Sequence, residues 1–324
     1  MIPWLVLLQA SLTIATAGPM TAPEYMPLWL AQGQGYFAQE NVRVSLVQER
    51  AEAPAAEALG HGHADLAATS LEAALTLGAP GPAPPKLVFG ITSTPAVALL
   101  VPVNRKEAIR SLNDLVGGII GIPAPGTPAE FMLIAALTKA GIRVPQVTMK
   151  SFGERGLAGA IEAGDLTAGI LGDPYATQLV EDGKAVVLVD FRQRDAAQRW
   201  LGGRAVYSAV FARPEAKLGG KELMPVVRAL LRAVALMQTA PPEELRTKLP
   251  AAAIGFPPEA FTIRVLGARE IFLTEGEVTP EMLKTSIALV KARGPIPSKV
   301  KIPWNLNQLL LTGPLQNVIE SGRR

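Results

Sequence analysis

The pattern of apolar and polar positions divides the chain into short strand-like runs that alternate with alanine-rich helical segments. The clearest unit spans residues 12–47, where a β-branched run at 12–16 is followed by a turn, a helix and a second run at 42–47. Strand-like runs that alternate with helices indicate parallel βαβ units. In such a unit the loop after the first strand lies at the carboxyl edge of the sheet, where α/β proteins bind ligands. We therefore expect the loop at 18–23 to face a ligand.

The same order of elements returns later in the chain. A strand at 118–122 precedes a loop, a helix and a strand at 144–149, and two similar segments, GHADLAATS from Gly62 and GDLTAGILG from Gly164, take equivalent places. An internal repeat of βαβ units predicts two similar lobes. After the repeat we expect strands at 185–190 and 205–211, an amphipathic helix over 225–239, and a last long helix opened by Thr279-Pro280.

Two capping boxes occupy equivalent places in this repeat. Thr69 stands three residues before Glu72, and Thr127 stands three residues before Glu130, each at a turn from strand to helix. A helix N-terminus offers unpaired N–H groups and the positive end of a dipole. Two such ends facing each other across a cleft would bind an anionic group. The alternative, that both threonines only cap helices, stays open.

Length and composition narrow the class of protein. A chain of 324 residues suits two lobes better than one typical domain, and a composition that is 49% hydrophobic and 18% charged provides ample core. The net charge is +3 and the basic residues are scattered, so nucleic-acid binding is not indicated. The absence of cysteine excludes disulfides, cysteine-bound metal, a thiol nucleophile and a lipid-modified cysteine.

Catalytic and metal-binding patterns are weak. His61 and His63 have a spacing seen in metal sites, but no further ligand is placed beside them, and catalytic zinc needs three. We interpret them as loop residues. No Gly-x-Ser-x-Gly, phosphate-loop or dinucleotide motif occurs. Glu24 and Asp173 are available as paired carboxylates, although solvated or capping roles suit them better. We expect no enzymatic activity, no metal and no cofactor.

The first unit also carries a motif of aromatic, proline and glycine positions ahead of its second strand. The motif reads Tyr25-x-Pro27-Leu28-x-x-Ala31-x-x-x-Gly35-Tyr36-Phe37. In this order, and over most of the chain, the sequence resembles periplasmic substrate-binding proteins of the nitrate/sulfonate/taurine type, which serve ABC importers. A related branch binds pyrimidine precursors. One departure is that Thr167 stands where the first lobe has Asp65, and we expect this position to serve the turn rather than the ligand.

The resemblance implies the type II periplasmic binding protein fold, an α/β architecture of two lobes joined by a hinge. Each lobe would be a mostly parallel sheet flanked by helices. We place residues 12–95 and 204–324 in the first lobe and residues 96–203 in the second.

The implied function is extracytoplasmic solute binding. A monomer would capture a small, anionic molecule such as a sulfonate, nitrate or carboxylate, close by hinge motion, and deliver it to a membrane permease. Two other functions stay open: an enzyme of the pyrimidine-precursor type, although its cysteine-rich and histidine motifs are missing, and a periplasmic ligand sensor.

The N-terminus has two interpretations. Residues 2–8 are apolar, but no Lys or Arg precedes them, as it would in a complete signal peptide. Because the resembling family is exported, we favour a signal remnant over residues 1–11 rather than a short apolar lead-in. No other segment reaches the roughly 18 apolar residues of a membrane helix.

Four turns that follow strands are expected to gather at the cleft, because the carboxyl edges of both sheets meet there. The predicted ligand-binding residues are Glu24, Tyr25, Thr69, Ser70, Gly126, Thr127, Asp173, Pro174 and Tyr175. The two tyrosines would supply flat apolar contact, and Glu24 or Asp173 would pair with an amine if the ligand has one. Arg50 and Arg155 each have two interpretations, a source of positive charge for the ligand or a surface residue.

Overall fold

The structure is a computed structural model that describes residues 11–294 and 296–322. The described strands form two separate sheets of five strands each. In chain order the strands are β1 (Ser11–Thr16), β2 (Arg43–Gln48), β3 (Leu66–Ser70), β4 (Lys86–Thr92), β5 (Val97–Pro102), β6 (Ile119–Ile122), β7 (Thr148–Ser151), β8 (Ala168–Gly172), β9 (Ala185–Asp190) and β10 (Ser208–Ala212).

Helices flank both sheets, and short 3-10 turns complete the connections. In chain order the α-helices are α1 (Met26–Gly33), α2 (Tyr36–Gln39), α3 (Glu52–Gly60), α4 (Leu71–Leu77), α5 (Pro128–Lys139), α6 (Gly153–Ala163), α7 (Tyr175–Glu181), α8 (Arg194–Leu201), α9 (Gly220–Thr239), α10 (Pro242–Lys248), α11 (Ala251–Ile254), α12 (Pro258–Gly267), α13 (Pro280–Arg293) and α14 (Gly313–Gly322).

The two sheets have the same topology. Their spatial orders are β2-β1-β3-β10-β4 and β7-β6-β8-β5-β9. In each sheet the fourth strand runs antiparallel to its neighbours. The chain enters the second sheet through residues 93–96 and returns to the first through residues 202–207. Two mixed sheets, joined by two crossings, confirm the predicted two-lobe α/β fold. The exact lobe limits stay a prediction, and the apolar segment at 2–8 lies outside the described residues.

Alternating side chains of β5 show how the second sheet is buried on both faces. Val97, Leu99 and Val101 belong to the core on one face, and Ala98 and Leu100 belong to the core on the other. Successive residues of a strand point to opposite faces, so a continuous apolar run of this kind suits a central, doubly covered strand.

The last long helix joins the two lobes. Thr279 caps α13 as predicted, because its hydroxyl accepts the N–H of Met282 at 3.3 Å. Met282 and Leu283 pack in the core of the first lobe, whereas Val290 packs in a core of the second. A helix that belongs to both cores ties the lobes together.

The expectation for Asp65 and Thr167 is confirmed. A carboxylate oxygen of Asp65 accepts the backbone N–H of Thr13 at 2.8 Å, and the hydroxyl of Thr167 accepts the backbone N–H of Ile119 at 3.0 Å. Thr13 lies in β1 and Ile119 in β6, which hold the same position in the two sheet orders. Either side chain can therefore stabilise this turn, because the turn needs only one oxygen acceptor.

Two strand boundaries were predicted wrongly. Residues 144–149 were expected to form a strand, but a 3-10 turn occupies Val144–Gln146 and β7 starts at Thr148. Pro145 lacks the N–H that a strand ladder needs. The strand expected at 205–211 is β10, which starts at Ser208.

Two helix starts also differ from the prediction. Ser70, not Thr69, caps α4, since β3 continues through Ser70 by pairing with β10. The helix expected from Pro225 begins at Gly220, where Glu222 accepts the N–H of Gly219 at 2.9 Å. A side chain that closes the first turn in this way starts a helix upstream of the proline.

Candidate functional site

A cleft of about 600 Å³ lies between the two lobes. The first lobe contributes the loop after β1, the start of α3 and the first part of α12. The second lobe contributes the turn after β6, the start of α5 and the turn after β8. Most of these segments follow strands of parallel units, which is why they gather at the carboxyl edges of the sheets.

Several predicted ligand-binding residues line this cleft. They are Glu24, Thr127, Asp173, Pro174 and Tyr175. The structure therefore brings together one turn of the first lobe and two turns of the second, as the repeat suggested.

The other predicted residues do not line the cleft. Tyr25 is fully buried, and its hydroxyl donates to Glu52 Oε1 at 3.5 Å. The Thr69 hydroxyl donates to the backbone oxygen of Glu52 at 2.8 Å. Ser70 is buried as a helix cap, and the Gly126 N–H donates to Glu130 Oε2 at 2.7 Å. Tyr25 and Thr69 therefore position Glu52, which does line the cleft.

Glu52 is a site residue that the sequence analysis missed. Its Oε1 also accepts a hydrogen bond from the Tyr207 hydroxyl at 3.2 Å. Burial raises the pKa of Glu52 above its ordinary value. Burial and the nearby Glu52 charge raise the pKa of both tyrosines well above their usual value, so the two phenols stay protonated as donors. The sequence signal was weak, because Glu52 is one of several acidic residues in a polar stretch after β2.

Glu24 is a second carboxylate of the first-lobe wall, and it is buried. Its Oε1 accepts the backbone N–H of Ala96, at the crossing between the lobes, at 2.8 Å. Burial raises the pKa of Glu24 to about 7, and the charges of Glu52 and Glu154 act in the same direction. Backbone hydrogen bonds, from Ala96 and within Glu24 itself, lower the pKa but do not offset this loss of hydration.

Asp173 is already paired within its own lobe. Arg192 Nη1 lies 2.8 and 3.0 Å from its two carboxylate oxygens. Asp173 Oδ1 also accepts the N–H and the hydroxyl of Thr177, in the first turn of α7. With its side chain 1% exposed, Asp173 is less available to a ligand amine than Glu24 or Glu52. Arg192 was missed because a single arginine after a strand carries no sequence signal.

A cation also lies in the cleft wall. Arg264 of α12 is 8% exposed and lines the cleft, and its Nη2 donates to the backbone oxygen of Ile254. Its buried Nε has no hydrogen-bond partner among the described residues. Burial lowers the pKa of Arg264, against the charges of Asp173 and Glu154. Arg50 and Arg155, considered from the sequence, do not line the cleft.

The expected pair of facing helix ends is not assembled. At α5 the hydroxyl of Thr127 accepts the Glu130 N–H at 3.4 Å, and Pro128 has no N–H, so Ala129 carries the remaining donor of the first turn. At α4 the capping Ser70 does not line the cleft. One N–H group is a weaker anion site than two complete helix ends.

The two histidines do not line the cleft. His61 and His63 occupy the exposed turn after α3, with ring centroids 5.7 Å apart. Within the described ranges, no group of three or more His, Cys, Asp or Glu side chains is arranged to hold a metal.

Replacing Glu24 by glutamine is expected to raise the free energy of unfolding by up to about 3 kcal/mol at pH 8, with little effect at pH 4. In the unfolded chain the carboxyl keeps its ordinary pKa of 4.5, whereas the folded pKa is about 7. The folded state therefore binds more protons between these values, and the wild type loses stability as the pH rises through this window. The neutral amide removes this loss and keeps an acceptor for Ala96.

Urea unfolding at pH 4, 5.5, 7 and 8 measures this difference. Glu107→Gln is the control, because Glu107 lies in an exposed ion pair. An equal stability difference between Glu24→Gln and the wild type at pH 5.5 and pH 8 would contradict the prediction.

Comparison with solved structures shows which known proteins share this fold. A protein from Bordetella bronchiseptica RB50 matches with a TM-score of 0.76 and 20% identity over 97% of this chain and 98% of its own. The periplasmic sulfonate-binding protein SsuA of a putative sulfonate ABC transporter from Methylobacillus flagellatus KT matches with a TM-score of 0.71 and 16% identity, covering 97% and 94%. The periplasmic nitrate-binding protein NrtA from Synechocystis PCC 6803 gives 0.63 and 11%, covering 96% and 89%.

Sequence comparison identifies the family. A search of individual curated proteins found no match to the chain. In the described part of the chain, no helix is both long and apolar enough to span a membrane. The sequence model described as NMT1/THI5 like matches residues 22–244, which is more than half of the 324 residues. The chain therefore belongs to the NMT1/THI5-like family.

Proposed function

We propose that this chain is the extracytoplasmic solute-binding protein of an ABC importer. In the periplasm, it captures a small molecule in the cleft between its lobes and closes by hinge motion. It then delivers the solute to a permease in the membrane. The observation that carries this proposal is a cleft of about 600 Å³ lined by both lobes, whose connections are the two short crossings at 93–96 and 202–207. Such a cleft has the size of a small-molecule site, and two short connections form a hinge.

The proposed ligand carries an anionic group, such as a sulfonate, nitrate or carboxylate. Arg264 supports this choice, because this positively charged residue lines the cleft and a guanidinium binds anionic groups well. Ala129 adds one N–H at the start of α5. Tyr175 offers a flat ring at the start of α7. The named sulfonate- and nitrate-binding neighbours make these anions the first ones to test.

We propose that the protein binds without chemical turnover and acts as a monomer without a cofactor. The neighbour from Methylobacillus flagellatus KT is named as a periplasmic sulfonate-binding protein, which supports binding as the role. Consumption of a bound ligand by the purified protein would indicate an enzyme instead. Ligand binding without uptake by a permease reconstituted in vesicles would indicate a sensor.

A thermal-shift screen tests the proposal, because a ligand that binds only the native state raises the melting temperature. The panel contains nitrate, alkanesulfonates, amino-sulfonates, short carboxylates and pyrimidine precursors. At least one compound is expected to raise the melting temperature at millimolar concentration. No shift with any of them would contradict the proposal in its present form.

Tyr175→Ala is expected to weaken the binding of any compound found in the screen by about tenfold, because it removes an aromatic contact from the cleft. Calorimetry on the wild type and the variant measures the change. Tyr36→Ala is the matched control, since Tyr36 stacks with Arg232 at 4.0 Å and does not line the cleft. If the folded Tyr175→Ala protein binds with wild-type affinity, the ligand does not bind at this part of the cleft.

A further inference from the structure

Positive charge is concentrated in the C-terminal segment of the chain. Although the basic residues there form no continuous run, residues 282–324 contain seven lysines or arginines and one acidic residue, Glu320. The net charge of this segment is therefore +6, whereas that of the whole chain is +3, so the remainder of the protein is negative. Basic residues collected in one segment indicate a partner with a negative surface.

Part of this segment presents an exposed aromatic ring together with positive charges. Trp304 lies in the connection between α13 and the 3-10 turn at Leu306–Leu309, and it is 94% exposed. Lys299 and Lys301 precede it and are also exposed. In the described ranges, neither lysine forms an ion pair with a carboxylate. An indole and two unpaired ammonium groups therefore face solvent on one short connection.

The neighbouring chain extends this surface and fixes it to the first lobe. A groove of about 300 Å³ lies beside the connection, lined by residues 82–84 of the proline-rich loop and by Lys86 and Lys301, among others. Every described residue of its wall is neutral or basic. Lys86 Nζ donates to the backbone oxygen of Gln308, and the N–H of Lys301 donates to the backbone oxygen of Pro82 at 2.9 Å. The lysines and the indole therefore belong to a folded surface and not to a loose tail.

The combination of one exposed indole with several lysines is characteristic of a surface that contacts lipid headgroups. Tryptophan is enriched at the membrane–water interface, because its ring is apolar and its N–H stays available as a hydrogen-bond donor. Each basic residue close to an anionic lipid surface strengthens binding about fivefold. A protein interface needs a larger apolar core, whereas Trp304 is the only exposed large apolar side chain in the described part of residues 282–322.

We propose that the surface formed by Lys86, Lys299, Lys301 and Trp304 binds reversibly to the anionic phospholipid headgroups of a membrane. The indole enters the headgroup region, and the lysines lie over the lipid phosphates. This inference goes beyond the proposed function, because the groove beside this surface shares no residue with the cleft. The chain would thus adsorb to the membrane through its first lobe, by a contact that needs no solute.

Co-sedimentation of the full chain with lipid vesicles tests the inference. The protein is expected to bind vesicles made of equal parts of phosphatidylglycerol and phosphatidylcholine at about 50 mM NaCl, and to bind them at least tenfold more weakly at about 500 mM, because salt screens the lysine charges. Vesicles of phosphatidylcholine alone are expected to retain little protein. If the protein does not bind the phosphatidylglycerol vesicles at low salt, the proposal is wrong.

Variants assign the binding to this surface. The double variant Lys299→Gln/Lys301→Gln is expected to bind the anionic vesicles at least tenfold more weakly than the wild type. Lys106→Gln/Lys150→Gln is the matched control, because it removes the same charge from two exposed positions of the second lobe, and it is expected to bind like the wild type. Equal losses in the two double variants would show that net charge drives the binding, which contradicts the proposal.

Tryptophan emission shows whether the indole enters the headgroup region. Trp29 is buried and Trp200 is half-buried, whereas Trp304 is exposed to water. Anionic vesicles are therefore expected to shift the emission of the wild type to shorter wavelength, and to leave that of Trp304→Phe unchanged. A shift of the same size in Trp304→Phe would mean that the membrane contact lies elsewhere on the protein.

Two further measurements separate a lipid surface from other anionic partners. Sodium phosphate is expected to release the protein from anionic vesicles no better than NaCl of the same ionic strength. Stronger release by phosphate would indicate a site for the free ion in the groove beside Lys86 and Lys301. Binding only to vesicles that contain a reconstituted permease would indicate a protein partner. Either of these two results would overturn the assignment of this surface to lipid.

Discussion

Replacing Arg192 by methionine is expected to lower the free energy of unfolding by about 3–5 kcal/mol. The guanidinium is 8% exposed and joins Asp173 through Nη1 and Asp190 through Nε and Nη2, the latter two each at 2.8 Å. Nη1 also donates to the Thr177 hydroxyl at 2.8 Å. Methionine fills part of the volume but leaves Asp173, with a side chain that is 1% exposed, without its cation. Removing one partner of a buried ion pair is costly because the other charge stays buried.

Urea unfolding of the two proteins at neutral pH measures this loss. Arg110→Met is the matched control, because Arg110 pairs with Glu107 while both side chains are more than 70% exposed. Exposed pairs contribute about 0–1 kcal/mol, so this variant is expected to unfold like the wild type. Equal losses in the two variants would mean that the Arg192 network does not stabilise the second lobe.

Replacing Gly267 by alanine is expected to weaken ligand binding about tenfold, through the contact between the lobes rather than through the ligand. Gly267 ends α12 of the first lobe, and a Cβ there would lie 2.1 Å from Asp173 Oδ2 of the second lobe. Asp173 cannot turn away, because Arg192 and Thr177 hold it. The methyl group therefore pushes α12 away from the second lobe and opposes closure.

Small-angle X-ray scattering tests the Gly267 prediction without a ligand, since lobes held apart give a larger radius of gyration. Calorimetry with the tightest compound from the thermal-shift screen gives the affinity. Gly159→Ala in α6 is the control, because a Cβ there meets nothing within 4 Å, and a helical Gly→Ala change stabilises by about 0.5–1 kcal/mol. An unchanged radius together with wild-type affinity in Gly267→Ala would show that this contact does not limit closure.

Local features of the fold could be predicted from the sequence. The strand at Ala185–Asp190 has the predicted limits, and Thr127 and Thr279 cap the helices that they were expected to cap. Each of these features depends on side chains and backbone groups within a few residues of one another. The repeat and the motif that begins at Tyr25 then indicated two lobes, because each βαβ unit has a topology that follows from its own sequence.

The candidate site could be predicted from the sequence only in part. The turns after β1, β6 and β8 were placed at the cleft from the rule that parallel strands end at one edge. Glu52 and Arg264 were not found, because they follow no motif and are 212 positions apart. Tyr25 and Thr69 were assigned to the ligand, but their side chains turn inward to position Glu52.

The sequence by itself therefore determined the two-lobe architecture, the capped helix starts and the turns that reach the cleft, since these depend on short-range hydrogen bonds and on apolar periodicity. Only the tertiary structure decided that Ser70 rather than Thr69 caps α4, because β10 pairs with β3 through that residue from more than 130 positions away. It also decided the charge of the cleft. The ionisation of Glu24 and Glu52 depends on burial and on neighbours from distant segments, and a linear sequence contains neither quantity.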